Sequence, residues 1–121
     1  MSILLRLLIN AAALYVAARF VDGISFSGPP MALIAVALVF GVVNTIVKPV
    51  IKLFSIPVIF LTLGLFLVVI NGAMLLLTSR LSLTLGLGFS VRGFIPALLG
   101  AIVVSLTSLV LGQFLEDERK E

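Results

Sequence analysis

GISFSGPPMALI, residues 23–34, and GFSVRGFIPALL, residues 88–99, decide how this chain is read, because they share Gly, Ser, Gly, Ala and Leu at matched positions sixty-five residues apart. Upstream, INAAAL at 9–14 matches INGAML at 70–75, and Arg19 keeps the spacing from Asn10 that Arg80 keeps from Asn71. Identities among Leu and Ala carry little weight in so apolar a sequence. The order Asn, Arg, Gly, Ser, Gly carries more, and it points to a duplicated unit; the alternative is chance alignment of hydrophobic sequence.

The composition says what that unit is made of. Of 121 residues, 62% are hydrophobic and 11% charged, well away from the balance of a water-soluble domain. Apolar runs cover residues 3–21, 31–47, 58–79 and 94–114, each near the length a tilted helix needs to cross a bilayer. In lipid the backbone must satisfy itself, and the runs lack the alternation of a membrane barrel, so they read as helices. Residues 1–121 are therefore expected to form one all-α integral membrane domain of four transmembrane helices, built as two tandem parallel-repeat helical hairpins. Two spans per unit give both copies one orientation, related about an axis along the membrane normal, which disfavours an inverted-repeat transporter. The small residues at 11–13 and 17–18 also resemble a signal cleavage site, but Arg6 would fall in the apolar region of such a signal and the segment has a repeat partner.

Chemistry is narrowly bounded. With no Cys and no His, neither disulfides nor the usual zinc sites can be built. Asp22 is the only acid before Glu116, which removes paired carboxylates, Ser-His-Asp triads and an acidic proton relay. No enzyme activity and no cofactor or metal is expected. The net charge of +3 is spread among the spans without aromatic interleaving, so the partner it implies is membrane lipid and not nucleic acid.

Lys and Arg set an expected orientation. With both termini inside, Arg6, Lys48, Lys52, Arg119 and Lys120 are cytoplasmic and Arg19, Arg80 and Arg92 are outside. A bacterial inner-membrane protein, N-in and C-in, is expected. Gly23, Gly28, Gly88 and Gly93 then mark two external turns, where Ser25 and Ser90 could bond nearby backbone; a plain hairpin connection is favoured there over a ligand loop. Pro49 and Pro57 bracket an expected interfacial break over 48–57, a short amphipathic piece with Lys48 and Lys52 toward anionic lipid. The acidic and basic tail over 115–121 reads as a solvated cytoplasmic end.

Polar and small residues inside the runs fall at helical steps. Arg6, Asn10, Ala13 and Ala17 share one face, as do Ala37, Gly41, Asn44 and Lys48. Gly64, Asn71 and Thr78 share another, and Ala97, Ala101, Ser105, Ser108 and Gly112 form a seam. Packing must drive association in lipid, and small residues let backbones approach, so these positions are the expected helix-packing or oligomer interface, with Asn10 and Asn71 as interhelical glue. Arg6, Lys48 and Lys52 are expected lipid or topology anchors.

The stretch NTIVKPVIKLFSIPVIFLTLGLF, residues 44–66, followed by Ile70 and Asn71, resembles the four-span membrane family called phage holin superfamily four. The two Gly-Ser turns resemble that family's external turns, so the likeness covers nearly the whole chain. The resemblance implies a small membrane protein that self-associates; holins assemble into inner-membrane lesions that release a lysin, although many members look like chromosomal proteins of unknown role. It supplies no catalytic residue. Three functions follow as expectations: holin-like permeabilisation, a non-conducting structural or envelope-stress protein binding lipid or a membrane partner, and, last, a small channel or carrier.

Overall fold

The computed structural model describes the backbone of residues 2–120 and the side chains of residues 2–115. The charged side chains expected to form a solvated tail, from Glu116 onward, lie outside the described residues. Among the described residues the chain forms four helices and two short strands: α1 (Ile3–Phe20), β1 (Ile24–Phe26), α2 (Pro30–Leu61), α3 (Phe66–Thr84), β2 (Phe89–Val91) and α4 (Phe94–Lys120). Each helix is long and apolar enough to cross a membrane.

Local chemistry sets the ends. The Ser2 hydroxyl accepts a hydrogen bond from the Leu5 amide at 3.1 Å and caps α1. Pro30 opens α2, where its missing N–H costs no helical bond. Neighbouring helices in the chain pack on one another, and α4 closes the ring against α1. The best-packed region lies at the end where α1 and α3 finish, with Leu14, Ala17, Val36, Leu75, Phe89 and Ala97 in one buried cluster.

That end carries a feature the sequence reading missed. The segments at 23–28 and 88–93, expected to be external turns, are not plain reversals: β1 and β2 pair antiparallel, with Ile24 opposite Val91, Ser25 opposite Ser90 and Phe26 opposite Phe89. The physical reason is the alternation in ISF and FSV, which sends Ile24, Phe89 and Val91 into the bundle while Ser25 stays exposed. Neither Ser25 nor Ser90 makes a side-chain hydrogen bond among those described. The ribbon is tied to α3 instead by the Ser79 hydroxyl, which accepts from the Val91 amide at 2.9 Å inside the core.

The expected boundaries of the second and third spans are also corrected. The chain stays helical through Pro49 and Pro57 and leaves the helix only at Thr62. A proline removes a donor and bends a helix, but in an apolar surrounding ending the helix would orphan more backbone groups than the bend does. A straight helix of 32 residues would be about 48 Å long, whereas Phe66 to Ser79, which brings the chain back to the ribbon, spans about 20 Å. The tight turn at 62–65 cannot absorb that difference, so α2 must bend or lean across the end of the bundle. Its arm past Pro49 is largely exposed, as at Phe54, Phe60 and Leu61.

The turn itself explains why α3 begins at Phe66. The Thr62 hydroxyl donates to the Val58 carbonyl at 2.9 Å and accepts from the Phe66 amide at 3.1 Å, satisfying one helix end and the next start. Gly64, expected on a helix-packing face, sits in this turn at φ 91° and has nothing within 4 Å of the position a Cβ would take.

Two serines one turn apart on α3 give a paired prediction. Ser79→Ala strands the buried Val91 N–H and should cost about 1–3 kcal/mol. Ser82→Ala removes a buried hydroxyl that has no partner among the described residues, and should leave stability unchanged or raise it by up to about 1 kcal/mol. Thermal unfolding of both variants in detergent, followed by circular dichroism, checks the opposite signs.

Candidate functional site

The candidate site forms because three faces that are closed at the ribbon end open toward the other. On α1, Ala13 and Ala17 are fully buried, Asn10 is half-buried and Arg6 is exposed. On α2, Ala37 is buried whereas Gly41, Asn44 and Lys48 are half-buried. On α4, Ala97 and Ala101 are buried, Ser105 is exposed and Ser108 half-buried. The helices therefore enclose a cleft of about 660 Å³ away from the ribbon, within the size range of ligand pockets.

Its polar lining comes from all four helices: Arg6 and Asn10 of α1, Asn44 and Lys48 of α2, Asn71 of α3, and Ser105 of α4. Gly41, Thr45, Ala101 and Ser108 line it too. At Gly41 an added Cβ would make only an ordinary contact, 3.7 Å from the Asn10 Nδ2. Apolar walls are supplied by Ile9, Phe40, Leu75 and Val104.

Some of the polar groups are already committed. The Asn44 amide donates to the Phe40 carbonyl at 2.9 Å, and the Thr45 hydroxyl to the Gly41 carbonyl at 2.7 Å, both bonds to the preceding turn of the same helix. The side-chain hydrogen bonds among the described residues include none from Asn10 or Asn71, so the interhelical glue expected of them is not formed; both amides face the cleft instead. Arg6 and Lys48 give the cleft positive charge, and no Asp or Glu among the described residues lines it. Asp22 follows Val21 at the ribbon end.

Other expected positions fall elsewhere. Lys52 is exposed and lines a second crevice with Pro49, Leu53 and Leu67, which adjoins the cleft through the shared Asn44 and Lys48. Pro57 is exposed on the α2 arm, and Gly112 is half-buried toward the end of α4, outside the cleft lining. Gly23, Gly28, Gly88 and Gly93 flank the ribbon strands. Sequence reasoning did not select Gly72 and Gly100, where helices meet most closely: a Cβ on Gly72 would lie 3.3 Å from Leu98 Cδ2 and 3.5 Å from the Ala97 backbone, and one on Gly100 would lie 2.8 Å from Leu75 Cδ2. The signal available was the i, i+4 row Pro96–Gly100, just past the second Gly-Ser segment.

Comparison with known proteins places this architecture. Residues 1–110 match the family described as mycobacterial 4 TMS phage holin, superfamily IV. An uncharacterized protein of Streptomyces coelicolor is 45% identical over 119 residues, covering 94% of this chain and 95% of its own. The uncharacterized membrane protein YvlD of Bacillus subtilis is 34% identical over 116 residues, covering 95% of this chain and 94% of its own. No solved structure matches. With four helices able to cross a bilayer and relatives matched over nearly their whole length, the chain is a multi-pass membrane protein and belongs to the mycobacterial four-span phage holin family of superfamily IV.

Proposed function

We propose that the chain is a small, non-conducting protein of the bacterial inner membrane that holds a lipid or membrane partner in its cleft and carries out no catalysis. One observation carries this reading: polar residues of all four helices line one cleft, while the faces outside it are apolar, as at Met31, Val50 and Phe54 of α2 and Ile102, Leu106 and Leu109 of α4. A lesion lined by water needs the opposite arrangement, a polar face turned toward neighbouring copies. The cleft is also blocked toward the ribbon, where Leu14 and Phe89 are fully buried.

The second reading is holin-like permeabilisation by self-associated copies. It draws on the family and on Ser105, an exposed α4 hydroxyl at the cleft that a second copy could reach. Membrane potential separates the two. After induced expression, a voltage-sensitive dye should report the same potential as an unrelated four-span protein at equal abundance. Abrupt depolarisation specific to this chain would overturn the non-conducting reading and install the second.

The reading includes an N-in, C-in orientation and a tandem duplication. Supporting the orientation, Arg19, Arg80 and Arg92 gather at the ribbon end, whereas Arg6, Lys48 and Lys52 lie toward the other. Supporting the duplication, the strands pair symmetrically about Ser25 and Ser90, and Asn10 and Asn71 enter one cleft from α1 and α3. Cys introduced beside Arg19 or Arg80 should react with a membrane-impermeant thiol reagent in intact cells, and Cys at Lys52 should not. The reverse labelling pattern would invert the topology.

A further inference from the structure

We propose that the cleft holds the phosphate head group of an anionic phospholipid between Arg6 and Lys48, with its acyl chains leaving over the apolar rim of α2; this rests on reading the cleft as a ligand site. Electrostatics comes first. Lys48 is half-buried and Arg6 stands exposed at the same cleft, and the described lining supplies no carboxylate to either, so the missing counter-charge is an anion. A phosphate meets that need, since guanidinium and ammonium groups both make charge-assisted hydrogen bonds to its oxygens.

The neutral donors fit the same ligand. The Asn10 and Asn71 amides face the cleft and make none of the described side-chain hydrogen bonds, so their N–H groups are available to further phosphate or glycerol oxygens. Basic pockets between transmembrane helices on the cytoplasmic side are a known physical solution for anionic head groups.

The rim decides between a lipid and a free anion. The lining residues Leu38, Val42 and Ile46 of α2 and Ile3 of α1 are exposed as well as apolar, at 57%, 49%, 63% and 86% of their surface. A site for inorganic phosphate gains nothing from such a border. For a phospholipid the border continues the hydrocarbon of the bilayer into the cleft, so acyl chains stay in apolar contact while the head group moves inward to the cations.

The test uses the full chain in neutral detergent, offered equal amounts of phosphatidylglycerol and phosphatidylcholine with the same acyl chains, with bound lipid counted by native mass spectrometry. Phosphatidylglycerol should be retained about tenfold over phosphatidylcholine. The double variant Arg6→Gln/Lys48→Gln should lose that preference, Arg6→Lys/Lys48→Arg should keep it, and so should Lys52→Gln and Arg80→Gln. Equal retention of both lipids by the unaltered chain overturns the proposal without requiring any variant to fold. Loss of preference in Lys52→Gln as large as in the double variant would reassign it to diffuse surface charge, and displacement by excess inorganic phosphate would reassign the site to a free anion. Equal retention with an intact membrane potential sinks the lipid inference alone; depolarisation sinks the broader reading.

Discussion

Gly88→Val is expected to remove about 3 kcal/mol or more of stability and to lower the melting temperature in detergent by roughly 10 °C or more. Gly88 sits at φ 84°, a left-handed conformation that a β-branched residue adopts only under strain. Space is lacking as well, since an added Cβ would stand 2.9 Å from the Gly28 amide nitrogen. That neighbour is backbone and cannot rotate away. Moving it pulls on the bond from the Ser27 amide to the Gly88 carbonyl, 3.0 Å long, which continues the ribbon beyond the Phe26–Phe89 pair. Phe89 would move with it, and Phe89 is among the largest fully buried side chains of the protein. An unchanged melting temperature would mean that the ribbon does not hold the helix ends together.

Legibility in the sequence followed the strength of the local signal. The four helices could be read because long uncharged runs leave lipid-embedded backbone no other solution. Their junctions were less legible. Pro49 and Pro57 favoured a break that the surrounding apolar sequence overrode, while the true turn at 62–65 depends on Thr62 bonding in both directions and on Leu63 and Gly64 at positive φ, in a stretch that reads as uniformly greasy. The ribbon was hidden for a different reason. Each strand has three residues and only the partner sixty-five positions away makes it a strand, although ISF and FSV, each directly preceded by glycine, did carry the alternation.

For the cleft, the shared faces were legible and their opening was not. The helical steps of Arg6 with Asn10, and of Gly41 with Asn44 and Lys48, follow from 3.6-residue periodicity alone. Whether such faces close on one another depends on the size of what they carry. Near the ribbon the matching positions hold alanine, at Ala13, Ala17, Ala37 and Ala97, and the helices meet. Farther along they hold Arg, Asn, Lys and Ser, which are longer or need hydrogen-bond partners, so the faces separate and the polar groups line a cavity where tight packing was expected. The same residue pattern thus yields a seam at one end and a site at the other.

Gly100→Leu carries the other large expected effect, because it tests where helix contact limits stability. A Cβ at Gly100 would overlap Ile24 Cδ1 and lie 2.8 Å from Leu75 Cδ2, so α4 meets both the ribbon and α3 at this one residue. Both neighbours are side-chain tips, and the single methyl of Gly100→Ala can be met by their rotation. The branched side chain of leucine cannot, because Leu75 is fully buried and Ile24 is 3% exposed, which leaves neither a way out. The expected cost is about 3 kcal/mol or more. Gly41→Ala is the matched comparison within a helix: its Cβ would make an ordinary contact 3.7 Å from Asn10 Nδ2, and the gain in helix propensity, up to about 1 kcal/mol, should leave the protein as stable or slightly more so. Thermal unfolding of the two variants side by side decides the matter. A large loss at Gly41 with none at Gly100 would place the tight helix contact at the cleft and would mean that the cleft closes when the protein is in its membrane.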